Sequence, residues 1–215
     1  MPRGRAATYD TQREAILAQA ALLFAQRGYA GTSMNEVAEA CGISKPALYH
    51  YVRDKDELLA EIVNDHVSRL EALVAEVQAE RLAPEAHLRR LIRRFVEQYA
   101  DAQASHRVLT EDVRFLPEAD REQVLAAQRR VVAAFADAIE RVKPGAAAAK
   151  LHKPLAMLLF GMINWMFTWL RPDGPFTHEA MAPVVADLFF GGLGAVQAPQ
   201  RAPKPRRRQP APLSS

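Results

Sequence analysis

The stretch "GISKPALYHYVRDKDELL", residues 42–59, leaves room for only about two turns of helix between a stop at Gly42 and a new start at Asp54. A helix that short does not persist alone, because nucleation costs more than its few hydrogen bonds return. It nevertheless concentrates Tyr49, His50 and Tyr51, so flanking helices must hold it. The sequence supplies them. In "TQREAILAQAALLFAQRGY" the apolar Ile16, Ala20, Leu23 and Phe24 recur on one helical face, and Gly28 ends that helix. Thr32 or Ser33 caps a second helix through "MNEVAEAC", which Gly42 stops. Ser44 caps the third, with Pro46 in its first turn, where a missing N–H costs nothing. Asp54 caps the fourth, and Glu57 stands three residues on, as in a capping box. Helices two and three, joined by "CGIS", have the layout of a helix-turn-helix unit, whose second helix enters the major groove of DNA.

The helical signal continues. Leu58, Ile62, Leu70, Leu73 and Val77 carry the fourth helix to about Gln78. Pro84 opens a fifth, with Leu88, Leu91, Ile92, Phe95 and Tyr99 on one side. A short helix over Val108–Arg114 follows, and Pro117 restarts a long one to about Val142. After the break "KPGAAAA" come "LAMLLFGMINWMFTWL" and, beyond "RPDGP", the last helix in "THEAMAPVVADLFFGGLGAV". No alternating run reads as a strand. The expected fold is all-α with about nine helices: a basic N-terminal arm (1–9), a three-helix helix-turn-helix DNA-binding domain (10–55), a larger helical effector-binding and dimerisation domain (56–196), and a disordered Pro/Arg-rich basic tail (197–215).

Charge supports that division. Residues 1–8 and 196–215 hold seven of the 28 Lys and Arg and none of the 25 acids, which leaves the body at −4. Basic ends on an acidic body point to a polyanion partner, or to solubilising termini. One cysteine, Cys41, excludes an internal disulfide framework, fits a reducing cytoplasm and lies on the inward side of helix two. The N-terminus has no apolar run of a secretory signal. The six histidines lack metal-ligand spacing, and no phosphate loop, nucleophile elbow or spaced carboxylate pair stands out, so neither a metal, a cofactor nor an enzyme is expected.

On the short helix, Leu48 and Tyr51 sit three apart and pack inward on Val37 and Ala38. Ser44, Lys45, Pro46, Ala47, Tyr49 and His50 form the candidate DNA-reading face, where hydroxyl, ring and imidazole meet phosphates and base edges. Lys55 at the N-terminus of helix four, and Thr32 at the start of helix two, are placed for backbone phosphates.

These motifs resemble the DNA-binding domain of the TetR family of bacterial transcriptional regulators: Thr32, Val37-Ala38, Gly42-Ile43-Ser44, Leu48-Tyr49-His50-Tyr51, and Lys55 with Leu58. Pro46 stands where Gly is also common. The resemblance implies a homodimer on a palindromic operator in double-stranded DNA, a helical effector domain, and repression usually relieved by a small molecule.

"LAMLLFGMINWMFTWL", residues 155–170, is apolar on all sides except at Asn164 and Thr168. At about 1.5 Å per residue it spans about 24 Å, short of a ~30 Å hydrocarbon core, so it must be covered by protein instead. Its own domain and a second subunit can share that task, the last helix being the companion. Two helices per subunit then make the dimer interface that the resemblance implies. Gly161, Met162, Asn164, Trp165 and Trp169, continued by Pro172 and Gly174, resemble a stretch of TetR-family regulators that respond to acyl-coenzyme A thioesters of fatty-acid, sterol and aromatic-acid breakdown. Such a ligand needs a long apolar slot and cations for its phosphates. Tyr99, Leu109, Phe115, Asn164, Trp165 and Trp169 are candidates for the slot, and Arg89 and Arg93, with Arg90 and Arg94, for the cations. The tryptophans equally suit core or interface, and the arginines a solvated face. The alternatives are a TetR-type repressor of a drug or free aromatic acid, and a DNA-binding protein without sequence preference.

Overall fold

The computed structural model describes residues 3–171 and 173–197. The expected basic tail, apart from Gln197, and Pro172 lie outside the described residues. All regular structure among the described residues is helical: α1 (Arg3–Arg27), α2 (Met34–Ala40), α3 (Lys45–Leu48), α4 (Lys55–Ala79), α5 (Pro84–Asp101), α6 (Gln103–Glu111), a 3-10 turn (Val113–Phe115), α7 (Glu118–Val142), α8 (His152–Asn164), α9 (Met166–Trp169) and α10 (His178–Leu193). The nine expected helices are present, the eighth divided in two.

Three boundaries differ from the sequence reading. The backbone of α1 starts at Arg3, so the segment read as an arm continues the first helix. The short helix expected over Val108–Arg114 begins earlier, at Gln103, and gives way to the 3-10 turn. The apolar run 155–170 breaks at Trp165. There the Thr168 N–H and hydroxyl both turn back to the Trp165 carbonyl, at 3.1 and 2.7 Å, and tighten the chain into the single turn of α9. The cap of α2 is Ser33, in a full capping box with Glu36.

Two apolar cores run along the molecule. The first joins α1, α2 and α3 through Ile16, Ala20, Phe24, Val37, Ala38 and Leu48. It continues past residue 55 into Leu58, Leu59, Ile62 and Val63 of α4, and takes in Val108, Leu109 and Leu116 from the α6 corner. The second joins the distal half of α4, from Leu70 to Val77, to α5, α7, α8 and α10. Phe95, Phe135 and Phe160 meet at its centre, with ring centroids 4.7–6.1 Å apart. The 25-residue α4 is therefore a beam shared by both cores.

Gly42 makes the α2–α3 turn with φ +66, and an added Cβ would meet nothing within 4 Å. The cost of Gly42→Ala is then the left-handed backbone alone, about 1–2 kcal/mol. Denaturant unfolding is expected to show that loss as a lower midpoint with an unchanged slope.

Candidate nucleic-acid interface and effector cavity

The four residues of α3 are held from below and at both ends. Leu48 is fully buried in the first core, and Ser44 Oγ accepts from the Ala47 N–H at 3.3 Å. Tyr51 stacks on Tyr9 of α1, with centroids 4.9 Å apart, and the Tyr9 hydroxyl donates to the His50 carbonyl at 3.2 Å. Tyr9 was missed by sequence reasoning, because it precedes the periodic apolar residues of its helix. Held this way, α3 leaves Ser44, Lys45, Pro46, Tyr49 and His50 exposed and Ala47 half-buried on one short surface.

Thr32 and Lys55 lie differently from the expectation that they face phosphates. Thr32 is only 2% exposed, and its hydroxyl donates to the Gly28 carbonyl at 3.0 Å. The Lys55 ammonium donates to the carbonyls of Tyr29 and Thr32, both at 3.0 Å, and lies 4.2 Å from the Tyr29 ring centroid. The α1–α2 loop presents carbonyls outside any helical ladder, and Lys55 satisfies two of them.

Tyr29 is the hub of this junction. Its hydroxyl donates to Asp56, and its N–H donates to the buried Asp112 carboxylate at 3.3 Å. Burial, then Asp56, raises the Tyr29 hydroxyl pKa above its usual value, and burial likewise raises the Asp112 carboxyl. Phe115, expected in the effector slot, instead stacks on Tyr29 with centroids 5.3 Å apart. Its ring therefore belongs to the contact between the helix-turn-helix and the α6 corner.

Between α4, α5, α6, α7 and α8 lies a cavity of about 510 Å³, whose wall includes Leu70, Tyr99, His106, Leu109, Phe160 and Asn164. Tyr99, Leu109 and Asn164 come together as expected. Trp165 and Trp169 do not: they are 66% and 50% exposed, and exposed Leu158 shares their segment. Nor do the arginines of α5. Arg89 pairs with Glu85 and Asp187, at 3.0 and 2.7 Å, and Arg93 with Glu97 and Glu179, at 2.8 and 3.6 Å, so both tie α5 to α10. Arg90 and Arg94 are paired with Glu80 and Glu76. The cations that line the cavity are Arg129 of α7 and Lys153 of α8, both exposed. Two larger hollows, of about 670 and 630 Å³, follow the groove where α1 meets its neighbours, outside this bundle.

His106 is the cavity residue that the sequence reading missed. Its Nδ1 lies 3.3 Å from Nε2 of His66, and the Tyr99 ring stacks on it at 3.7 Å. Burial lowers the pKa of His66 to about 4; burial and then the neighbouring His66 lower that of His106 to about 3. The signal was present for His66, four residues from both Ile62 and Leu70 on the apolar stripe of α4.

Residues 16–62 match the family model described as bacterial regulatory proteins, tetR family, and residues 81–193 match that of the tetracyclin repressor-like C-terminal domain. The chain belongs to the TetR family of transcriptional regulators. The crystal structure of a TetR-family transcriptional regulator from Bordetella parapertussis 12822 is similar with a TM-score of 0.81 and 34% identity, over 87% of this chain and 98% of that one. AibR, in complex with isovaleryl coenzyme A and operator DNA, is similar with a TM-score of 0.71 and 28% identity, over 82% of this chain and 97% of that one. The transcriptional activator FasR of Mycolicibacterium smegmatis is 25% identical over 90% of this chain and 88% of its own length. The transcriptional repressor KstR2 of Rhodococcus jostii is 25% identical over 86% of this chain and 92% of its own. No helix of the described residues is long and apolar enough to cross a membrane.

In this TetR-family regulator Lys55 and Lys45 are expected to separate. Lys55→Ala removes two charge-assisted hydrogen bonds and is expected to lower stability by about 1–3 kcal/mol, while Lys45→Ala leaves the melting temperature unchanged. Stability is also expected to depend on pH through the buried histidines. Their pKa values are depressed in the fold, so the unfolded chain binds more protons below pH ~6.5, and stability is lost as pH falls from there. His87 and His178, lowered by burial, act in the same sense. Denaturant titrations between pH 7.5 and 5 are expected to show a loss of about 1–2 kcal/mol per deeply buried histidine, and a smaller slope in His106→Phe.

Proposed function

We propose that this protein is a homodimeric, ligand-relieved repressor in the cytoplasm. It reads a palindromic operator through Ser44, Lys45, Pro46, Ala47, Tyr49 and His50, and answers to an acyl- or aryl-coenzyme A thioester. The acyl and pantetheine portions occupy the cavity, while Lys153 at an exposed position of its lining meets phosphates. Thr32 and Lys55 act on DNA by holding the loop and α4 under the reading face. Exposed Leu158 and Trp165 of the α8–α9 segment and Val184 and Leu188 of α10 form the interface with the second copy. Such a dimer sets two reading helices about 34–36 Å apart, one duplex turn.

The observation that carries this reading is a shared corner. His106, Leu109, Thr110 and Val113 line the cavity, and Asp112, within the same turn, accepts the Tyr29 N–H of the helix-turn-helix. A ligand that repositions α6 therefore acts directly on Tyr29, and through Lys55 on the start of α4, which shifts the dimer away from groove spacing. Support for the ligand class comes from the similarity to AibR, and for repression from the similarity to KstR2.

A gel-shift titration with the protein's own upstream intergenic DNA tests both halves. Specific binding released by one thioester from an acyl- and aryl-coenzyme A panel is expected. Binding indifferent to every thioester would sink the ligand class in favour of a drug or free acid, and binding without sequence preference would sink the repressor. Tyr49→Ala is expected to abolish operator preference, and Lys45→Ala to lower the salt slope by about one unit.

A further inference from the structure

We propose that the inner wall of the effector cavity is built to take an uncharged carbonyl oxygen on Nε2–H of His106, beside Asn164, and to reject a free carboxylate. The inference deepens the reading of this cavity as the effector site and rests on it.

Five buried side-chain atoms among the described residues have no hydrogen-bond partner, and three of them, His106 Nε2, Asn164 Oδ1 and His66 Nδ1, lie at or next to this cavity, the other two being Glu61 Oε2 and His152 Nδ1. His106 and Asn164 line the cavity, and His106 is only 3% exposed. A buried polar group without a partner is costly, and its usual explanation in a folded protein is a ligand or water that completes it. The facing ring nitrogens of the two histidines, 3.3 Å apart, share one proton. If His66 donates, the proton of His106 sits on Nε2 and points to the cavity, while His66 keeps only an unused lone pair at Nδ1. If His106 donates, the unmet N–H lies on His66, which lines the groove along α1 and not this cavity. The first arrangement puts the orphaned donor on this cavity, and an acceptor bound in the cavity selects it. Asn164 Oδ1 stands ready for a donor such as an amide N–H. A thioester or amide carbonyl thus finds what it needs.

A carboxylate does not. The charged side chains of the lining are Arg129 and Lys153, both exposed, and Arg129 already pairs with Glu122. Both histidines are uncharged at neutral pH. An ionised acid carried inward would lose its hydration without a counter-charge, at a cost of several kcal/mol. The regulator therefore responds after an acid has been activated by acyl transfer, and the free acid leaves it unmoved.

Calorimetric titration of the full-length dimer at pH 7.5 with octanamide, octanoate and octanoyl-coenzyme A tests this. Octanamide and the thioester are expected to bind, and octanoate at least about thirtyfold more weakly. His106→Phe, which cannot donate, is expected to weaken both uncharged ligands about tenfold. In the wild type, nitrogen-15 spectra of the imidazoles are expected to show Nε2 of His106 protonated when octanamide is bound, a readout that survives if the variant fails to fold. Octanoate binding within about threefold of octanamide, no binding of octanamide, unchanged octanamide binding in His106→Phe, or an unprotonated Nε2 would each overturn the inference. Octanamide binding with the His106 dependence but no thioester binding would leave the inference standing and refute the thioester reading. Equal binding of thioester and octanoate would do the reverse.

Discussion

The hydrogen bond from the Tyr29 N–H to the buried Asp112 carboxylate is where the two halves of this regulator meet. Around it, the Tyr29 ring stacks on Phe115, its hydroxyl reaches Asp56, and its carbonyl takes the Lys55 ammonium. One residue of the α1–α2 loop thereby touches the α6 corner and the first turn of α4. A carboxylate at this depth is stable only while its donors stay in place. A movement of α6 that pulls Asp112 away must draw Tyr29 with it or leave that charge unmet. The junction therefore resists gradual deformation, which is the property that a two-position switch requires.

The positive charges divide between two tasks. The four arginines along the outer face of α5 are spent on carboxylates of α4, α5, α10 and Glu80, in pairs that are 29–76% exposed. Exposed pairs of this kind contribute little each; those of Arg89 and Arg93 orient α5 against α10, and those of Arg90 and Arg94 tie it to the end of α4. Lys45 and Lys153, in contrast, stand exposed beside the two surfaces that a polyanion or a phosphate-bearing ligand would meet. The tryptophans divide from the cavity for a different reason. Asn164 is the last residue of α8 and Trp165 is the cap at which the run breaks, so Asn164 stays on the cavity side of α8 while the Trp165 ring lies outside, 66% exposed.

Helix starts, stops and faces were legible because they are local. Caps at Ser33, Ser44 and Asp54, the stops at Gly28 and Gly42, and the apolar stripe of α5 each follow from interactions within a few residues, and all are found in the structure. The break at Trp165 was less legible, because apolar continuity says nothing about a threonine hydroxyl competing for a carbonyl three residues back. His66 on the α4 stripe could have been read as buried, but its partner could not, since forty residues separate it from His106.

By itself the sequence determined the all-helical class and the helix-turn-helix with its outward Tyr49 and His50, because periodicity and capping act at short range. Only the tertiary structure decided which charges were free. Lys55 and Thr32 turn inward onto carbonyls of the α1–α2 loop, and the α5 arginines are taken up by carboxylates brought from up to 98 residues away. The same holds for His106, whose unpartnered nitrogen becomes a potential recognition group only when α4, α5 and α8 close around it. Which polar groups are satisfied is a property of distant neighbours, and no local pattern carries it.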